Sequence, residues 1–159
     1  MVCHVAIIKV MKPTAYIFDV DGTLANVDPY LHHVRGENKD YDAFHEASIG
    51  ALPNIEVLEM LNNAVSDGHS ILVVTSRKEK WRGLTSMWLA KTDARSHALF
   101  MRADDDHRQD YEVKKDILDK IVMHWDVVHA VDDNPNVIRL WEENGIPTTK
   151  IGTWDGNRS

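Results

Sequence analysis

Apolar residues fall along this chain in two kinds of run. Some are short and continuous: Thr14 to Val20 (TAYIFDV), Ser70 to Thr75 (SILVVT), Ala98 to Met101 (ALFM) and Val127 to Val131 (VVHAV). Runs of that length and β-branched content predict buried strands. Others recur every three or four residues. From Pro53 to Asp67, Val57, Leu58, Leu61, Ala64 and Val65 share one face, and Gly68 follows as a stop. Lys78 to Lys91 carries Trp81, Leu84, Trp88 and Leu89 at the same spacing, and Tyr111 to Trp125 carries Val113, Ile117, Ile121 and Trp125. These predict amphipathic helices. Another helix starts at Pro135, suited to a first turn, and stops at Gly145. Thr148 to Ile151 closes the series as a last strand.

Strands separated by helices must pair in parallel, because parallel neighbours need a crossover. The expected fold is α/β: a Rossmann-like open parallel sheet with helices on both faces, carrying a small lid insertion after the first strand. With no repeat and no low-complexity linker, residues 1–159 read as a single domain. The insertion covers about residues 25–52 and includes a short helix near Tyr41 to Ser48. Residues 1–10 read as an N-terminal extension or an added strand. Ligands of such sheets bind beyond the carboxyl ends of the strands. That rule gathers Asp19 to Gly22, Thr75 to Arg77, and Asp132 with Asp133 at one edge.

The 43% hydrophobic and 27% charged composition fits a globular chain, and the net charge of −7 argues against wrapping a long nucleic-acid duplex. One cysteine, Cys3, allows neither an internal disulfide nor a cysteine zinc site. The expectation is a reducing, cytoplasmic setting. No signal peptide and no apolar run of spanning length is read, so no membrane is expected.

Chemistry concentrates in IFDVDGTLA. Two carboxylates stand two residues apart after a buried strand, and Gly22 lets the chain turn away. Asp19 is placed to attack phosphorus, and Asp21 to protonate the leaving oxygen and then deprotonate water. A calcium loop fails on spacing, since Thr23 and Leu24 occupy the positions where an acid or Asn and a Gly belong. Asp19, Asp21, Asp132 and Asp133 would repel one another without a cation, and magnesium suits carboxylates combined with water and phosphate oxygen.

DVDGT after a strand resembles the first motif of the haloacid dehalogenase superfamily of phosphatases. VVTSR resembles the second, EVKKDIL the third and VDDNP the fourth, in family order. The resemblance implies that Thr75 hydrogen-bonds the transferring phosphoryl group, that Lys114 screens nucleophile and phosphate, and that the acids of VDDNP hold the metal. A closer similarity, over KPTAYIFDVDGTLA, ILVVTSR, RQDYEVKKDIL and AVDDNPNVIRLWEENGIP, is to the 3′-phosphatase domain of phage-type polynucleotide kinases. It implies substrate contact from Thr75, Ser76 and Arg77, and an Asp110 that helps position Lys114. The family's arginine shortly after the first motif has no clear match; Tyr30 falls near its place, with Arg35 five residues on. No GxxxxGK[ST] is present, so 5′ kinase activity is not expected.

Lys78, Lys80 and Arg82 read as a rim that is either solvated or electropositive toward substrate. Trp81, Trp88, Trp125 and Trp141 fit helical core stripes better than base-stacking platforms. His32, His33 and Asp104 to Asp106 read as surface. The expected function is a magnesium-dependent phosphomonoesterase acting on a nucleic-acid 3′ end or a nucleotide. The alternatives are a phosphatase for small metabolites and, more remotely, a binding module without catalysis.

Overall fold

The computed structural model describes residues 11–157. The expectation for residues 1–10 lies outside the described residues. Five strands form one wholly parallel sheet: β1 (Thr14–Phe18), β2 (Ser70–Lys78), β3 (Ala98–Arg102), β4 (Asp126–Asp132) and β5 (Thr148–Lys150). Their spatial order is β3-β2-β1-β4-β5. The order reverses between β1 and β4, so a crevice opens where connections leave in opposite directions.

Alternation along the strands sorts the core into two layers. Phe18, Ile71, Val73 and Val131 point to one face, where they pack against α2 (Ile55–Ser66) through Val57, Leu61 and Ala64, and against α3 (Arg82–Lys91) through Trp88 and Leu89. Ile17, Leu72, Val74 and Ala130 point to the other, covered by α4 (Asp110–Ile121) and α5 (Pro135–Glu143). The α/β sheet with helices on both faces is therefore as expected. No helix among the described residues is long and apolar enough to cross a membrane.

Two boundaries differ from the sequence expectation. The helix expected from Lys78 starts only at Arg82. β2 runs on to Lys78, which pairs with Arg102 beyond a register shift, and a 3-10 turn over Glu79–Trp81 follows. Trp81 thus leaves the helical stripe and belongs to neither core layer, whereas Trp88 and Trp141 are core and Trp125 packs against it. The helix expected to reach Trp125 ends at Ile121, where turn hydrogen bonds from His124 and Trp125 to Ile121 redirect the chain into β4.

The segment 25–52 is built into the protein. A 3-10 helix covers Asp28–His33, and α1 covers Tyr41–Ser48 with Asp40 capping it through Ala43 N–H. Val27, Val34, Phe44 and Ala51 are buried in the first core layer and hold the segment down.

Candidate active site

The turn after β1 places Asp19 at the centre of the carboxyl edge. Its backbone N–H continues the sheet by donating to Val131 O at 3.0 Å. Its carboxylate accepts from Thr23 Oγ1 at 3.0 Å and from Lys114 Nζ at 2.9 Å. Lys114, one turn into α4, also donates to Asp132 Oδ2 at 2.7 Å. The other Asp132 oxygen accepts from Asn134 N–H at 3.0 Å, while Asn134 caps α5. One ammonium therefore joins the ends of β1 and β4 across the crevice, and it is buried, as are Asp19, Asp132 and Asp133.

The carboxylates of Asp19, Asp132 and Asp133 offer oxygens that all lie within 4.8 Å of one another. Three acids against one ammonium is an uncompensated arrangement, and its electrostatics show it. Burial, then the neighbouring Asp132, raises Asp19 to about 7 even though Lys114 pulls the other way. Burial, then Asp19 and Asp132, raises Asp133 to about 9. Burial works against the charge on Lys114, yet Asp132 and Asp19 lift its pKa above the ordinary range. A hard divalent cation with oxygen preference fits this donor set and would supply the missing positive charge.

Gly22 makes the close approach of Asp133 possible. It sits at φ +79°, and a Cβ there would fall 2.0 Å from Asp133 Oδ2. Only glycine accommodates both that backbone conformation and that contact.

Asp21, expected beside the other acids, takes a different partner. Arg77 grips it in a fork, Nε to Oδ2 at 2.9 Å and Nη2 to Oδ1 at 2.5 Å. The remaining donors of Arg77 go to Thr85 Oγ1 at 3.2 Å and Ser48 Oγ at 3.0 Å. The structure thus brings three of the four expected metal acids together and sets the fourth apart on a buried guanidinium. Arg77, expected on substrate phosphate, is 3% exposed and holds protein groups with all three of its nitrogens. Burial opposes its charge, but Asp21 more than restores it.

Thr75 Oγ1 accepts from Arg77 N–H at 3.2 Å, and Ser76 Oγ is buried with no partner among the described residues. Asp110 accepts from Arg102 Nη2 at 2.8 Å; the hydrogen bonds of Lys114 go to Asp19 and Asp132. Arg102 also fastens the loop after β3, donating to Ser76 O, Asp106 O and Arg108 O. Ser48, Thr85 and Arg102 escaped the sequence reading. Arg102 alone carried a signal, a cation at the carboxyl end of a strand. Asp19, Asp21, Thr75, Ser76, Arg77, Asp110, Lys114, Asp132 and Asp133 line a single cavity of about 400 Å³.

The family described as the polynucleotide kinase PNKP phosphatase domain matches residues 13–155. A putative bifunctional polynucleotide kinase/RNA ligase of Autographa californica nuclear polyhedrosis virus is 28% identical over 141 residues, 86% of this chain but 19% of that protein. A chain in the structure of a Pnkp1/Rnl/Hen1 complex superposes with a TM-score of 0.76 at 27% identity, covering 92% of this chain and 48% of that one. The chain therefore spans half or less of the length of these relatives. A class C acid phosphatase from Bacillus anthracis, 15% identical with a TM-score of 0.69 over 89% of this chain and 67% of its own, shares the fold.

Proposed function

The chain belongs to the family of polynucleotide kinase phosphatase domains, within the haloacid dehalogenase phosphatases, and on that premise we propose that it removes 3′ phosphates from polynucleotide ends or nucleotides with the help of magnesium. The observation that carries the chemical part is the Lys114 ammonium spanning Asp19 and Asp132, with Asp21 held apart on Arg77.

In this reading Asp19 attacks phosphorus and becomes an aspartyl-phosphate, and Asp21 delivers a proton to the leaving oxygen. Asp21 then takes a proton from the water that hydrolyses the intermediate. The fork of Arg77 fixes the direction of the Asp21 carboxylate and favours its charged, base form, which suits the second step; for the first, one oxygen must leave the fork to carry the proton that passes to the leaving oxygen. Lys114 holds Asp19 in its attacking orientation and offsets charge on the transferring group. Thr75 and Ser76 present hydroxyls at the end of β2, Ser76 Oγ being buried and without a hydrogen-bond partner among the described residues. Asp19, Asp132 and Asp133 would hold the magnesium ion, which supplies charge neutralisation for the phosphoryl oxygens.

The acidic net charge favours a short contact with a strand end over a long footprint. The test is hydrolysis of a 3′-phosphorylated oligonucleotide, a 3′-mononucleotide, a 5′-mononucleotide and a sugar phosphate at matched concentrations. Clear preference for the 3′-phosphorylated nucleic acid is expected. Clear preference for the sugar phosphate would leave a phosphatase for small metabolites and end the nucleic-acid reading.

A further inference from the structure

The cavity is much larger than a phosphoryl group, and its walls differ. One side is the polar carboxyl edge. Another part is α1, within the segment 25–52, which lines the cavity with Tyr41, Asp42, Phe44 and His45. Tyr41, His45 and Ser48 occupy positions i, i+4 and i+7 of this helix and so share one face. Ser48 accepts from Arg77 Nη2 and donates back to His45 O at 2.9 Å. The face is therefore tied to the same guanidinium that grips Asp21.

Two of the three side chains on that face, Tyr41 and His45, are aromatic. His45 lies 5.9 Å from the Trp81 ring, and both line the cavity. His45 Nδ1 and Trp81 Nε1 are buried without a hydrogen-bond partner among the described residues, which is uncommon for groups with a protein-only role. Burial also lowers His45 to about 4, so this floor is neutral near pH 7. Tyr41 stands one turn further out, lines the same cavity, and is 52% exposed. Lys80 bridges to Asp42 beside it and lies over the Trp81 ring at 5.4 Å.

We propose that Tyr41 is the platform on which the nucleobase of the phosphate-bearing nucleoside stacks, with the His45–Trp81 pair as its floor. The proposal rests on the nucleic-acid reading of the site and deepens it. A phosphate held at Asp19 leaves a nucleoside to fill the rest of the cavity, and an aromatic ring meets the face of any base without reading its sequence. Because α1 is fastened through Ser48 to Arg77, the platform is fixed relative to the reacting groups.

The experiment compares two oligonucleotides with a 3′ phosphate, one ending in a normal nucleoside and one in a base-free tetrahydrofuran sugar. The wild-type chain is expected to favour the base-bearing end in kcat/KM by roughly 5- to 150-fold, the range of one base–aromatic stack. Tyr41→Ala should remove that preference, with a larger fold-loss on the base-bearing end than on the base-free one, and Tyr41→Phe should keep it. Equal loss on both substrates would mean a structural role and overturn the proposal. So would a wild-type enzyme that cleaves both ends equally well, which leaves the 3′-phosphatase reading standing. Hydrolysis of neither, with a sugar phosphate hydrolysed readily, would overturn the substrate assignment and the platform with it.

Discussion

Replacing Gly22 by alanine tests the tightest contact in the site. Two costs add. The left-handed backbone at φ +79° costs a non-glycine residue about 1–2 kcal/mol. The new Cβ also falls 2.0 Å from Asp133 Oδ2, where ordinary contact begins at 3.4 Å, so the carboxylate must retreat by 3.4 − 2.0 = 1.4 Å. Asp133 is buried, and a shift of that size costs about 1–2 kcal/mol more. Gly22→Ala should therefore destabilise by roughly 2–4 kcal/mol, a fall in Tm of about 4–16 °C for a chain of this size. The displaced carboxylate should also weaken magnesium affinity by about 10–100-fold. Thermal denaturation and magnesium titration of activity read the two effects. Gly22→Ala with Asp133→Ala separates the causes, because removing the carboxylate removes the collision but not the strain. A coupling of about 1–2 kcal/mol in favour of the double variant is expected. Strict additivity of the two substitutions would refute the reasoning.

Other outcomes follow from the same geometry. Asp19→Asn should form no phosphoenzyme, while Asp21→Asn should bind substrate but lose about 10²–10⁴-fold in turnover, read by trapping and steady-state kinetics. A chelator should abolish activity and magnesium restore it; full activity after exhaustive chelation would rule out the metal assignment. Without a cation the folded chain holds protons on Asp133 (about 9) and Asp19 (about 7) more tightly than an ordinary aspartate at 3.8. The stability those groups contribute in acid is therefore lost as pH rises from about 4 through about 9. Tm in chelator should fall across that window, and magnesium should raise it most at the alkaline end; a flat profile would contradict the clustering of the acids. Ser48→Ala removes a hydrogen bond to a buried guanidinium and should cost about 1.5–3 kcal/mol in denaturant unfolding, with a fall in kcat beyond any change in KM.

The parallel pairing of the strands and the convergence of four motifs on one edge could be read from the sequence, because both follow from local periodicity and the rule for parallel sheets; the spatial order of the strands could not, since it is set by which edges pair across the sheet. The partnership of Asp21 could not. Spacing places Asp19 and Asp21 on the same turn, but which acid meets a cation and which meets Arg77 depends on side chains arriving from β2 and α1. Trp81 was misplaced for a related reason. Its spacing to Leu84 and Trp88 is helical, yet the strand before it continues to Lys78 because Arg102 pairs with it there. The role of Ser48 left no local trace, since a serine near a helix end is ordinary until the fold presents it to a buried charge.

The parallel sheet also gives the two ends of the domain different surroundings. β1 begins at the amino edge, where Pro13 O accepts from Asp126 N–H, a full strand length from Asp19. β5 runs toward the carboxyl edge, and the chain beyond it brings Trp154 to the cavity rim. The chain at Pro13 therefore stands on the side of the sheet away from the mouth. At the other end Trp154 stands at the mouth and donates to Asn157 O at 2.9 Å, so this stretch borders the approach of a strand end. For tags or tethers built on this scaffold, a link made near Trp154 is part of the doorway, which a link made near Pro13 is not.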